Sequence, residues 1–174
     1  VIYHWVIMSN HYHLLVELPK PTKISRIFAG ISRTYAYYYH EKYGSSGRLW
    51  DGRFKSQPIE KDMYLLACAR YIEQNPLKAG LCLKAEDYVY SSAAYYVKGQ
   101  RDGLSVADEH YLELGDSASK RQREYGEWLR IFDDEGDGEY DQMENPVGNK
   151  LFRARLKKEN GHFVPRTDGR IRRV

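Results

Sequence analysis

His11 and His13 flank Tyr12 in the run Ser9-Asn10-His11-Tyr12-His13. Residues i and i+2 of a strand point to the same face, so a strand here sets two imidazoles side by side. Neutral imidazoles at that spacing can share one divalent cation and leave its other positions open to substrate. On its own, such a pair is more often two hydrogen-bonded strand histidines. Tyr71 and Asn75 form a second pair. Four residues apart on a helix, they share a face, where Asn75 offers a neutral carbonyl oxygen to a metal and Tyr71 a phenol for nucleophilic attack. The plainer assignment makes Tyr71 a core residue and Asn75 a helix terminator ahead of Pro76. A third group, Gly47-Arg48-Leu49-Trp50-Asp51-Gly52-Arg53-Phe54, places two arginines on either side of an aromatic in a glycine-rich turn. That combination suits phosphate contact and base stacking, and equally a structural turn with solvated arginines.

These residues need elements to hold them. Residues 1–8, rich in β-branched and aromatic side chains, read as a strand, and residues 11–18 as its partner across the Ser9-Asn10 turn. Pro19 and Pro21 end the hairpin. Thr22 is a plausible N-cap for a helix to about Tyr43, with Ile24, Ile27, Phe28, Ile31, Tyr35 and Tyr38 at helical spacing and Gly44 in the C′ role. A short strand is expected over residues 54–59. A second helix opens at Lys61 or Asp62 and runs to about Asn75, where Pro76 forbids its simple continuation. Residues 88–97, entered through Ser91-Ser92, and residues 117–132 read as further helices, the latter presenting Tyr125, Trp128, Leu129 and Phe132. Residues 133–145 lack a core-forming pattern and read as a flexible acidic linker. A short helix over residues 149–158 and a basic tail follow. Hairpin, helix, strand, helix is an α+β pattern, with helices on one face of an antiparallel sheet, of which the ferredoxin-like arrangement is one member. The expected division is residues 1–99 as the catalytic domain, 100–145 as a helical and acidic linker region, and 146–174 as the tail.

The 174 residues carry a net charge of only +3, and that small value hides a segregation. Residues 1–107 hold 14 basic and 9 acidic side chains, residues 108–145 hold 4 and 13, and residues 146–174 hold 9 and 2. A basic body and tail point to a polyanionic partner, and sixteen tyrosines interleaved with Arg and Lys can stack unpaired bases. No apolar run approaches the roughly 20 residues that span a bilayer, so no membrane partner is expected. Cys68 and Cys82 are too few for a disulfide scaffold and lack metal-type spacing, which fits a reducing cytoplasm.

Met8-Ser9-Asn10-His11-Tyr12-His13-Leu14-Leu15-Val16 resembles the histidine–bulky–histidine (HUH) signature of the REP-associated tyrosine transposases, single-tyrosine members of the HUH superfamily. Trp50-Asp51-Gly52-Arg53-Phe54-Lys55-Ser56 is similar to their internal tryptophan and arginine motif. Arg70-Tyr71-Ile72-Glu73-Gln74-Asn75-Pro76-Leu77-Lys78-Ala79-Gly80-Leu81 resembles their tyrosine-helix motif, and Tyr90-Ser91-Ser92 the element after it. The resemblance runs in order over roughly residues 2–97. Tyr12 stands at the bulky position, where a phenyl ring can still pack. The family's first strand and helix have no counterpart ahead of Val1, so the chain is expected to be a fragment of that fold, with an open sheet edge beside residues 11–18.

The resemblance implies Mg²⁺ or Mn²⁺ bound by His11, His13 and Asn75, with Tyr71 attacking phosphorus to give a 5′-phosphotyrosine and a free 3′-OH. It implies single-stranded DNA beside a short imperfect hairpin as target, in a cytoplasmic, nucleoid-associated monomer or homodimer. Arg48, Trp50, Arg53 and Lys55 are the expected DNA contacts of the body, and Arg166, Arg170, Arg172 and Arg173 those of the tail. The alternative is a DNA-binding regulator or transposase remnant that keeps the fold without catalysis.

Overall fold

The computed structural model describes residues 1–18, 24–143 and 145–160. Its sheet is a hairpin, β1 (Ile2–Ile7) paired antiparallel with β2 (Tyr12–Val16). Val6 lies opposite His13 and Ile7 opposite Tyr12, with a register irregularity between Ile2 and His4. Among the described residues β2 pairs with β1 alone. The outer edge of β1 is covered without a regular strand: Ile7 N donates to Tyr90 O, Ser92 N to Trp5 O and Val106 N to Ile2 O. Those bonds satisfy backbone groups that an exposed edge would leave to solvent or another chain.

Helix α1 (Ile24–Tyr43) ends where Gly44 takes φ +59°, as its C′ position requires. The anticipated N-cap, Thr22, and the prolines at 19 and 21 lie outside the described residues. The strand expected over residues 54–59 does not form. Pro58 has no N–H for a ladder, Phe54 stacks instead on Phe28 of α1 at 4.8 Å, and only Ile59 bridges, to Val147.

Helix α2 (Met63–Lys78) passes through Pro76 rather than stopping before it. So near the C-terminus the proline removes one bond, the one its N–H would give to Ile72 O. The Asn75 side chain substitutes, its Nδ2 donating to Tyr71 O at 2.8 Å and reaching Ile72 O at 3.4 Å. After a 3₁₀ turn at Ala85–Asp87, α3 (Ala93–Lys98) begins five residues later than the periodicity predicts, because residues 90–92 are committed to the β1 edge. Helix α4 (Glu109–Glu113) is capped by Asp108, and α5 (Ala118–Trp128) by Ser117. Tyr125 and Leu129 are buried as expected, whereas Phe132 is exposed.

The acidic stretch is the largest departure. Residues assigned to a flexible linker form α6 (Asp134–Gln142), started by the Asp133 carboxylate accepting from Gly136 N. Asp133 pairs with Arg70, Asp137 with Lys78, and Tyr140 is buried, so the segment packs along α2. Helix α7 (Lys150–Asn160) follows. Two apolar clusters result. One joins Val6, Met8 and Leu15 of the hairpin segment to Leu65, Ala69, Tyr71 and Ile72 of α2, with Tyr140 and Val147; the other gathers Ala93, Tyr96, Tyr111, Tyr125 and Leu129. Helices are not confined to one face of the hairpin. Helix α2 covers the Val6 and Leu15 side, while Tyr12, pointing the other way, meets Trp50, whose indole is tied to α1. No helix among the described residues is long and apolar enough to cross a membrane.

Candidate active site

The strand pairing decides which side chains can meet α2. His13 stands opposite Val6, on the face that α2 packs against, and its ring lies 5.4 Å from that of Tyr71, edge to face at 82°. The His11 ring is 5.0 Å from His13, perpendicular to it. Both histidines and the candidate nucleophile thus fall in one cluster; the i, i+2 spacing accounts for the two imidazoles sharing a face, and the packing of α2 on that face brings Tyr71 to them. His11 is exposed, His13 half-buried and Tyr71 only 4% exposed.

Asn10 fixes the chemistry of His11. Its Oδ1 lies 2.6 Å from His11 Nδ1. A carbonyl oxygen can only accept, so with the amide in this orientation Nδ1 is the donor, which in a neutral ring leaves the lone pair on Nε2, the usual arrangement of a metal-binding imidazole. Asn75, half-buried one turn after Tyr71, spends its amide nitrogen on the carbonyls of Tyr71 and Ile72, which leaves Oδ1 as its remaining polar atom. Among the described residues no group of three or more His, Cys, Asp or Glu is placed to hold a metal ion. A cation here would therefore rest on two imidazoles and the Asn75 amide, neutral donors throughout. The adjacency of His11 and His13 suits that role, and no described residue engages Asn75 Oδ1.

Tyr140 is the neighbour that sequence reasoning missed. Its ring stacks on that of Tyr71 at 5.4 Å and 25°, while its hydroxyl donates to Tyr64 O. Burial, with Cys68 and nearby carboxylates, raises the Tyr140 phenol well above its ordinary value. A lone aromatic within an acidic run was the available signal.

The arginine loop is folded around its own residues. Arg48 donates from Nε to Trp50 O at 2.7 Å and also to Asp51 O. Trp50 donates to Ser32 O at 3.0 Å, and its ring meets Tyr12 and Tyr35. Arg53 and Lys55 are exposed nearby. Arg166, Arg170, Arg172 and Arg173 lie outside the described residues.

Behind Tyr71 and Asn75, α2 carries a buried polar network that the motif reading also missed. His4 on β1 sits 2.8 Å from Glu73 Oε1 and 3.4 Å from Asp108 Oδ2. Ser92 Oγ and Tyr125 Oη both donate to Glu73, at 2.6 and 2.9 Å. Burial opposes charge on His4, but the two carboxylates outweigh it and raise the imidazole above its ordinary value. Asp108 also pays for burial, yet its bond to His4 helps hold it below the usual carboxylate range. The signal was a histidine inside an apolar strand and a glutamate midway between Tyr71 and Asn75.

Residues 1–75 match the family model described as IS200-like transposase. That span contains the hairpin, the arginine loop, both histidines and α2 through Asn75, and it leaves residues 76–174 outside. The match supports a transposase kinship for this part of the chain. Comparisons with curated proteins and with solved structures give no match.

Proposed function

We propose that the chain is a metal-dependent transposase or endonuclease of the HUH type, cleaving and rejoining single-stranded DNA beside hairpins, in the manner of the REP-associated tyrosine transposases. The observation that carries the reading is the edge-on approach of His13 to Tyr71, with His11 beside it. The family match over residues 1–75 supports DNA as the partner.

In this reading His11, His13 and Asn75 would hold Mg²⁺ or Mn²⁺, which would supply Lewis-acid stabilisation of charge developing on the scissile phosphate. Tyr71 Oη attacks phosphorus in line with the leaving 3′-oxygen. A phosphorus–oxygen bond to tyrosine forms as the bond to the 3′-oxygen breaks, and that oxygen leaves as the 3′-OH. The phenol proton passes to a base or to water, and the leaving 3′-oxygen takes up one proton from water, so that none is gained or lost overall. Because one phosphoester replaces another, a DNA 3′-OH can attack the phosphotyrosine and rejoin strands without ATP. The indole and cations of the loop, Trp50 with Arg48, Arg53 and Lys55, and the tail arginines supply base stacking and phosphate contacts.

The second reading, a DNA-binding protein without cleavage, draws support from the burial of Tyr71, whose ring contacts both His13 and Tyr140. One experiment separates them. A labelled single-stranded hairpin oligonucleotide is incubated with the protein and divalent metal, then resolved on a denaturing gel. A covalent band that needs metal and disappears in Tyr71→Phe is expected. No band with the parent, or a band that survives Tyr71→Phe, would overturn the proposal.

A further inference from the structure

Helix α1 is twenty residues long yet buries only Phe28. Three of its aromatics, exposed Tyr35 and Tyr43 and half-buried Tyr39, continue the contact that Tyr12 makes with Trp50, both of them half-buried. Trp50 lies 6.1 Å from Tyr12 and 5.7 Å from Tyr35, Tyr35 6.2 Å from Tyr39, and Tyr39 4.6 Å from Tyr43. The ladder climbs two helical turns, about 12 Å at the α-helical rise. Its rings meet at 44° to 89°, so none stacks flat on its neighbour. Tyr35 and Tyr43 are 46% and 59% exposed. In the core the opposite holds, where His4 and Tyr96 stack at 17° and are sealed from solvent.

Charge selects the occupant. Residues 24–57 carry six Lys and Arg against two carboxylates. A second copy of the chain meeting this face through a two-fold axis would set the same positive charges against themselves. Duplex DNA would satisfy the charge but keeps its base faces stacked inside. An unpaired strand offers phosphates to the cations and bases to the rings.

We propose that the ladder Tyr12, Trp50, Tyr35, Tyr39 and Tyr43 is a stacking track for unpaired DNA, on the face of β2 opposite the imidazoles. It rests on the DNA-processing reading above and places the strand's entry on α1. Tyr12 links track and site, since its backbone sits between His11 and His13 while its ring ends the ladder.

The test uses the full chain carrying Tyr71→Phe, so that binding is read without cleavage. Binding of a labelled single-stranded oligonucleotide is followed by anisotropy and by tryptophan fluorescence. Tyr35→Ala with Tyr39→Ala should weaken binding roughly tenfold or more, with the salt dependence unchanged because phosphate contacts remain. Tyr35→Phe with Tyr39→Phe, which keeps both rings, should bind as the parent does. The strand should quench tryptophan fluorescence, the corresponding duplex should not, and Trp50→Phe should abolish the quenching. Replacing bases by abasic sites should cost the parent affinity and cost the alanine variant little. Equal binding by the parent and the alanine variant, or a loss that appears only as a shallower salt slope, would overturn the track. If Tyr71 forms the covalent band while ladder variants bind normally, the track fails and the function stands. If the ladder variants weaken binding but no covalent band forms, the track stands and the cleavage reading fails.

Discussion

Asn75 holds two positions at once. As a ligand it would offer Oδ1 to a cation; as a structural residue it already gives Nδ2 to Tyr71 O and reaches Ile72 O, the carbonyl that Pro76 leaves without its helical donor. Substitution separates these roles. Asn75→Ala loses oxygen and nitrogen together, whereas Asn75→Asp keeps an oxygen and loses the N–H donor. Both variants should lose roughly 1 kcal/mol of stability in a denaturant titration, the usual net worth of a hydrogen bond. Only Asn75→Asp should keep metal-dependent formation of the covalent band. Full metal dependence in Asn75→Ala would remove Asn75 from the ligand set. At this scale the sequence was informative in part: the strand period sets His11 beside His13 and the helix period sets Tyr71 on one face with Asn75, while the meeting of the two pairs was only what the family resemblance implied. It did not show Asn10 setting the His11 tautomer, since that contact depends on a turn rotamer that spacing does not encode.

Elements were legible where an apolar period announced them and obscure where charge did the packing. The hairpin, α1, α2 and α5 carry such periods. The stretch that forms α6 has Tyr140 as its one large apolar anchor, and its carboxylates read as solvated until Arg70 and Lys78 of α2 are seen to face Asp133 and Asp137. The strand expected over residues 54–59 failed for the converse reason: suitable side chains cannot build a ladder when Pro58 has no donor and no strand runs alongside. The packing of α6 has a measurable consequence. Tyr140→Ala removes a buried ring that stacks on Tyr71 in the same cluster and should cost roughly 3 kcal/mol or more. Tyr140→Phe loses only the bond to Tyr64 O and should cost about 1 kcal/mol. Chemical denaturation of both variants checks the ranking. A cost within about 0.5 kcal/mol for Tyr140→Ala, the scale of a surface substitution, would return the segment to a linker.

Across the whole molecule, the His4 network joins parts that the family match separates. His4 and Glu73 lie within residues 1–75, while Ser92, Asp108 and Tyr125 come from beyond it. The later helices therefore close over charges belonging to the hairpin and α2, and folding of one part is tied to folding of the other. The pH dependence of stability should report this coupling. His4 has a folded value raised above its ordinary one, so its contribution is complete below an unfolded value near 6.5 and is lost as pH rises through the folded value. Asp108 has the opposite sign: its contribution is present above an unfolded value near 3.9 and is lost as pH falls through its lowered folded value. Tyr96 and Tyr125 face the same network but are raised from an already high phenol value, so they do not titrate near neutrality. Thermal melts should therefore show Tm falling from about pH 6.5 to 8. His4→Gln should be less stable throughout, because it strands the Glu73 carboxylate in the core. Should that variant fail to fold, His4→Gln with Glu73→Gln removes both charges and keeps groups that can hydrogen-bond. In either variant the decline between pH 6.5 and 8 should flatten. A parent Tm that is constant across that window would mean that His4 is neutral in the folded chain, and the charge coupling between the two halves would have to be abandoned.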